Sequence, residues 1–201
     1  MCGRYVAYSG EEYAEMENIV RQVEKNLPVG ALLKLGEIFP TDLVPVLIPG
    51  PRGITAVPMV WGFPRWNGGG VVINARAETA ADKRMFRSAL FSRRLVVPST
   101  GFFEWRRSEG KKLKDKYLIR LPEQPMLYMA GLYNLYQQPD GSEAGRFVIL
   151  TTWSNECMAN LHDRMPVILG SEDKLSWLAG SDMVGQILSQ TGPELSLEKV
   201  S

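Results

Sequence analysis

The first regular pattern along the chain is helical. In "SGEEYAEMENIVRQVEKNL" the residues Tyr13, Met16, Val20, Val23 and Leu27 fall on one face, and Ser9 with Glu12 forms a capping-box pattern. The spacing predicts a helix over 9–27. The pattern then changes to short β-type runs, "LVPVLI", "ITAVPMVW" and "VVIN", punctuated by Pro and Gly. A second helix is predicted in "AETAADKRMFRSALF". After it come "RLVVPS", "GFFEW", "KYLIRL", "MLYMAGLYNLY" and "RFVILTTW", all strand-like, with "QQPDGSEAG" as a turn-rich loop. "SNECMANLH" and "SEDKLSWLAG" read as short helices, each opened by a serine in capping position. Strands outnumber helices and are joined by short links, which predicts an α+β fold on a mostly antiparallel sheet or open barrel, flanked by short helices. No repeat, low-complexity tract or linker divides the chain, so one domain is expected over residues 1–201.

Composition changes this picture little. The chain has 201 residues, 45% hydrophobic and 22% charged, the balance of a globular domain with a full core. No apolar run approaches the ~18–20 residues of a membrane span. The N-terminus lacks a basic stretch followed by an apolar one, so an intracellular, cytoplasmic location is expected. Thiols stay reduced there, so Cys2 and Cys157 are expected free. A net charge of +1 gives no global argument for nucleic acid, but the distribution is uneven. A run of Lys and Arg from Lys83 to Arg120 is opposed only by Glu104, Glu109 and Asp115. For "SEGKKLKDK" a solvated hairpin accounts for the charge; the arginines nearer the motifs below need another reason.

Candidate chemistry begins at residue 2. If Met1 is removed, Cys2 carries an α-amine and a thiol on neighbouring carbons. An α-amine has a pKa of about 7.7–8.0 against about 10.4 for lysine, so near neutral pH a sizeable fraction is unprotonated. It can attack an aldehyde to give a Schiff base, and the thiol can then close a five-membered ring. The alternative is an incidental early cysteine. His162, the only histidine, sits in "LHDRMPVIL". One histidine and two scattered cysteines do not make a metal centre, and neither metal nor cofactor is expected. Its ordinary titration range suits proton transfer, although a lone histidine can equally be a satisfied core residue. Glu104, within "GFFEWRR", shares a strand face with Phe102 and Arg106 rather than with Phe103 and Trp105. It is either a solvated outward residue or a group in a pocket. Asn74 ends an apolar strand in "VVINARAETA" with Arg76 two residues on; strand-end polar residues are frequent in sites, and Asn at a turn is also a routine local hydrogen-bonder. In "WGFPRWN" the aromatics interleave with Arg65, which suits base stacking, with core packing the default for Trp61 and Phe63.

Taken together and in order, "MCGRY", "WGF", "INARAET", "GFFEW" and "HDRMPVIL" resemble the SRAP family, abasic-site-processing proteins related to the SOS response. The resemblance runs from Cys2 to about Leu169. It implies an α+β domain with a barrel-like β core and a positively charged groove. It further implies a monomer that crosslinks covalently, as a thiazolidine at the mature N-terminal cysteine, to abasic sites in single-stranded DNA. By the same resemblance Cys2 is the nucleophile, Asn74 holds the sugar and the cysteine, Glu104 is the catalytic glutamate, and His162 assists proton transfer. Arg4, Arg76 and Arg164 resemble phosphate-holding positions, and Trp66 a stacking or wedging aromatic. The family has also been regarded as autopeptidases that cleave Met1 themselves. Many members continue past this chain's "LEKVS"; a C-terminal truncation or a short member both fit, and either bears on the C-terminal groove contacts. Two other classes stay open at this point. An N-terminal-nucleophile amidohydrolase would turn over small amides without needing the basic and aromatic residues. A non-catalytic single-strand-binding module would retain no DNA under denaturing conditions.

Overall fold

The computed structural model describes residues 2–28, 30–51, 53–66, 68–106, 115–180 and 182–200. Met1 and the lysines of 107–114 lie outside the described residues. In chain order the elements are β1 (Tyr5–Ala7), α1 (Ala14–Glu24), β2 (Gly36–Ile38), β3 (Leu43–Gly50), β4 (Gly53–Trp61), β5 (Phe63–Pro64), β6 (Val71–Val72), β7 (Asn74–Arg76), α2 (Arg84–Ser92), β8 (Arg94–Ser99), β9 (Gly101–Arg106) and β10 (Asp115–Arg120). They continue with β11 (Leu127–Gln137), β12 (Glu143–Trp153), α3 (Glu156–Ala159), β13 (Arg164–Pro166), β14 (Ile168–Leu169), α4 (Asp173–Ala179), α5 (Val184–Ser189) and β15 (Ser196–Lys199). Single 3₁₀ turns stand at Glu11–Tyr13 and Ala77–Thr79.

Five strands close a barrel: β12 pairs β4, β4 pairs β3, β3 pairs β8, β8 pairs β11, and β11 returns to β12. Every pairing in the ring is antiparallel except β4–β12, where Arg146 lies beside Val60 and Phe147 beside Trp61. Closure removes the open edges, so the apolar alternation of each strand can point into one interior. The second half of β12 runs on with new partners. Thr151 is in register with Arg76 of parallel β7 and with Pro166 of antiparallel β13, so those strands occupy opposite edges of β12. A second, antiparallel sheet has the order β15–β10–β9–β1–β2, which puts the N-terminal strand inside a sheet. The two units share a core through Trp61. Its ring stacks on Phe147 at 6.4 Å and meets Tyr5 edge-on at 5.3 Å, and its indole N–H donates to Ile73 O at 3.0 Å.

The α+β architecture on a mostly antiparallel barrel is as the sequence pattern predicts, and the barrel is closed rather than open. The helix caps differ from expectation. Gly10 turns the chain at φ 128°, a 3₁₀ turn follows, and α1 starts at Ala14 with no side-chain cap, so the Ser9–Glu12 capping box does not form. Its core face is as predicted, with Met16, Val20 and Val23 buried. Asn155 rather than Ser154 caps α3, its side chain accepting from Met158 N–H at 3.3 Å. Glu172 rather than Ser171 precedes α4, again with no side-chain cap. The helix expected over 77–91 is a 3₁₀ turn followed by α2, and "VVIN" divides between β6 and β7. β1, β2, β13, β14, β15 and α5 are too short for a periodic signal.

One cation of the basic run is a structural part. Arg94, 6% exposed, donates through Nε to Trp177 O (2.6 Å), through Nη1 to Leu90 O and Phe91 O (2.9 and 3.0 Å), and through Nη2 to Gly180 O (3.0 Å). It thereby satisfies carbonyls at the C-terminal ends of α2 and α4 that no intrahelical N–H can reach. An Arg94→Met variant keeps the apolar stem and strands those acceptors. It should lose about 2 kcal/mol or more of stability in urea unfolding, with the slope unchanged; a loss below about 0.5 kcal/mol would show the carbonyls satisfied some other way.

Candidate functional site

Cys2 is wholly buried, and the surrounding chain holds it from several directions. Its thiol donates to Arg4 O at 3.6 Å, and the Asn74 side-chain amide donates to its carbonyl at 2.9 Å. Asn74 can do this because it opens β7, where register with Ile149 of the barrel fixes its position. Glu104 reaches the same neighbourhood from the second sheet. Along β9, Phe102 enters the main core while Phe103 packs with Val6 and Leu118 in a separate cluster, so alternation turns Glu104 inward with Phe102. It is 3% exposed, which decides between the two sequence readings for the pocket. At the start of β9 a Cβ on Gly101 would lie 2.9 Å from Ile119 O of β10, so the close contact between these two strands needs glycine there. Burial pushes the Cys2 thiol well above its ordinary pKa, and the charge of Glu104 pushes it further. The Tyr5 phenol is raised too, by burial first and then by Cys2 and Asp42. Among the described residues, Tyr5 Oη and Asn74 Oδ1 are buried polar atoms without a hydrogen-bond partner. Such atoms are expensive unless something else meets them.

Arg4 stands at the rim. Its guanidinium lies over Phe39 (4.2 Å) and Trp105 (5.1 Å) and pairs with Glu37 at 3.0 Å. The same Glu37 oxygen accepts from Lys116 at 2.8 Å. Burial alone would raise the Glu37 carboxyl, but hydrogen bonds and charge from Lys116 and Arg4 outweigh it and hold the carboxyl below its usual range.

A second cluster forms around the end of β12. Arg164 is 4% exposed and makes a bidentate pair with Glu78, at 2.7 and 2.9 Å, while Nη2 also donates to Thr151 O at 2.7 Å. Its guanidinium lies 4.8 Å from the Trp153 ring. Arg76, beside Thr151 in register, is exposed. His162 precedes β13. Its Nδ1 accepts from Arg164 N–H at 3.0 Å and lies 2.8 Å from Asp163 Oδ1. A bare Nδ1 can take the first contact and a protonated one the second, so a proton arriving there exchanges partners.

The structure therefore bonds Asn74 to Cys2 and brings the charge of Glu104 to bear on the thiol, with Arg76 on the strand that Asn74 opens and His162 just before β13. Trp66 is 98% exposed at the tip of the β5–β6 hairpin. Glu37, Glu78 and Trp153 were not singled out by the sequence. Glu78 lies inside "INARAET", but its partner is 86 residues away and leaves no local signal. A cavity of about 580 Å³, lined by Tyr128, Lys174 and Gln190 among others, contains none of these residues. Both cysteines are free.

The family profile described as "SOS response associated peptidase (SRAP)" matches residues 1–201. The "Abasic site processing protein YoqW" of Bacillus subtilis (strain 168) is 34% identical over 185 residues, covering 89% of this chain and 80% of that protein. The "Abasic site processing protein YedK" of Escherichia coli (strain K12) is 29% identical over 181 residues, covering 89% and 79%. A crystal structure of a protein from Bacteroides thetaiotaomicron has a TM-score of 0.80 at 23% identity, over 100% of this chain and 92% of that one, so the two share a fold.

The Glu78–Arg164 pair has a measurable signature. Burial opposes ionisation of Glu78, but the hydrogen bond and charge of Arg164 prevail and depress its carboxyl below the usual 4.5. A depressed carboxyl stabilises the fold above its unfolded pKa, and that contribution disappears as pH falls through the folded value. Glu78→Gln should cost about 2 kcal/mol at pH 7, the partial exposure of Glu78 discounting a fully buried pair. The gap between variant and parent should close below about pH 4.5. A gap that stays constant to pH 3 in thermal melts would remove the ion pair as its cause.

Proposed function

The chain belongs to the SOS response associated peptidase (SRAP) family, and from that premise we propose that it processes abasic sites in single-stranded DNA by forming a covalent bond through Cys2. The observation that carries this reading is a cysteine at position 2 wholly buried, gripped at its carbonyl by Asn74 and faced by the carboxylate of Glu104. Core filling would not need a hydrogen bond from a side chain 72 residues away.

The reaction proceeds once Met1 has left, by self-cleavage or by an aminopeptidase. The α-amine of Cys2 attacks C1 of the ring-opened sugar and the carbinolamine loses water, giving an imine. The thiol sulfur then adds to the imine carbon and the thiol proton passes to nitrogen. The ring so closed contains N, Cα, Cβ, Sγ and C1. Amine, aldehyde and thiol become one thiazolidine and one water; nothing is oxidised or reduced. Asn74 holds the Cys2 carbonyl through its amide nitrogen and offers its buried Oδ1 to a sugar hydroxyl. Glu104 and His162 move the protons that open the hemiacetal and expel water. Arg4 and Arg76 hold phosphates, Arg164 positions this rim from its pair with Glu78, and Trp66 stacks or wedges at the hairpin tip. The protein acts as a monomer inside the cell, in association with DNA.

Two experiments test the reading. Cys2→Ala should abolish adducts that survive denaturation on abasic single-stranded DNA, Cys157→Ala should leave them, and a tag before Cys2 should abolish the ring-closed product. Adducts that persist in Cys2→Ala and vanish in Cys157→Ala would overturn the assignment. The intact mass of the purified protein, taken before and after incubation with the DNA, reports whether Met1 is gone.

The proton-transfer roles are tested separately. General acid–base help is typically worth about 10²–10⁴-fold. Glu104→Gln and His162→Ala should each slow single-turnover adduct formation by at least about tenfold, while equilibrium binding of undamaged single strands changes little. Rates within twofold of the parent for both variants would leave Cys2 working alone.

A further inference from the structure

Beyond the groups assigned above, we infer that Trp153 is a stacking platform for a base of the DNA strand that carries the lesion. The inference rests on the abasic-site reading and adds a specificity element to it. Trp153 ends β12, a strand whose Phe147, Val148, Ile149 and Leu150 are all fully buried, yet its own side chain is 65% exposed. A single exposed apolar residue needs no explanation by itself. Three further observations set this one apart.

The ring is held before any ligand arrives. The guanidinium of Arg164 covers one face at 4.8 Å, and Arg164 is itself fixed by Glu78 and Thr151. The exposed area therefore belongs to the other face and the edges, and little side-chain entropy remains to be lost when something stacks there. The arginine also gives the ring a polarised partner on its inner face, a cation–π arrangement. The ring lies beside the proposed chemistry as well. Ser154, the next residue, donates its N–H to Asp163 O at 3.0 Å, and Asp163 follows His162. Thr151, two residues back on the same strand face, is in register with exposed Arg76. A strand whose phosphate sits on Arg76 and whose sugar faces Asn74 would pass a base within reach of this indole. A flat aromatic face beside an exposed cation is what single-strand binding uses, and it suits any base, because each base presents a π-face.

The test combines variants of Trp153 with removal of single bases from the DNA. Undamaged and abasic oligonucleotides are titrated with the parent, Trp153→Phe, Trp153→Leu and Trp153→Ala. Stacking predicts at least about a fivefold loss of affinity for Ala and for Leu, with Phe close to the parent. The slope of log affinity against log salt should stay unchanged, because no ionic contact is lost. A second series replaces the nucleotides flanking the lesion, one at a time, by a stable abasic analogue. At one position base removal should weaken the parent about as much as Trp153→Ala does, and should cost the Ala variant nothing more. Parent-like binding by Ala and Leu, or equal loss in Phe, Leu and Ala, would overturn the platform. Additive losses at every flanking position would overturn it too. If the parent itself neither binds nor crosslinks abasic single strands, the underlying reading fails; if it does both and Trp153 is neutral, only this inference fails.

Discussion

The hydrogen bond from the Asn74 amide to the Cys2 carbonyl is the joint on which the rest depends. Chain ends fray unless something ties them, and here two units tie this one. The second sheet takes residues 5–7 as an inner strand between β9 and β2. The barrel then reaches across with Asn74, which is fixed by parallel pairing to β12. Loss of the amide would leave Cys2 held by core packing and its thiol bond to Arg4 O, with no tie to the barrel through its carbonyl. The burial of Trp61 against Phe147 and Tyr5, which joins the two units, is therefore also part of what positions Cys2.

Electrostatics around this joint follow one pattern: Arg4, Arg94 and Arg164 each stand against acceptors, although the Nε of Arg164 is a buried donor without a partner among the described residues. Arg94 spends its donors on helix-end carbonyls, and Arg164 spends its Nη donors on Glu78 and Thr151. Arg4 shares a carboxylate oxygen with Lys116. A guanidinium at 4% exposure would be strongly destabilising alone, so the pairing with Glu78 is a condition of having Arg164 there at all. An ion pair already made also lowers what the same arginine can gain from a phosphate. For the phosphate contacts proposed above this ranks the cations: Arg76 is exposed, Arg4 already pairs with Glu37, and Arg164 is committed to Glu78.

Much of this was legible in the sequence, because strand alternation and motif order are local signals. The period-2 argument places Glu104 opposite Phe103 and Trp105, and that is the arrangement found; only its burial needed the fold. The barrel strands from "LVPVLI" to "RFVILTTW" were readable as runs. What was not readable depends on partners far along the chain. Nothing near Arg164 announces Glu78, and the link from Asn74 to Cys2 came from the family resemblance, not from the residues around either. The capping serines failed for a different reason. The helix begins at Glu156, one residue later than a Ser154 cap requires, so Asn155 holds the cap position and its side chain accepts from the Met158 N–H.

The buried thiol bears on the order of the proposed reaction. A thiol pushed far above its ordinary pKa by burial and by Glu104 is almost entirely neutral near pH 7, and a neutral thiol is a poor nucleophile. That argues against Cys2 acting first through sulfur, as an amidohydrolase of the N-terminal-nucleophile class would require. An α-amine with an ordinary pKa of about 7.7–8.0 is under no such handicap near neutral pH. If the amine acts first, the imine then needs a proton on nitrogen and a nucleophile at carbon. The thiol, three bonds from that nitrogen, supplies both: its sulfur adds to the imine carbon and its proton goes to nitrogen. Ring closure asks less of the sulfur than a first attack would, because it is intramolecular and the carbon is already activated as an imine, and the same burial protects the thiol from alkylation and oxidation until an aldehyde arrives.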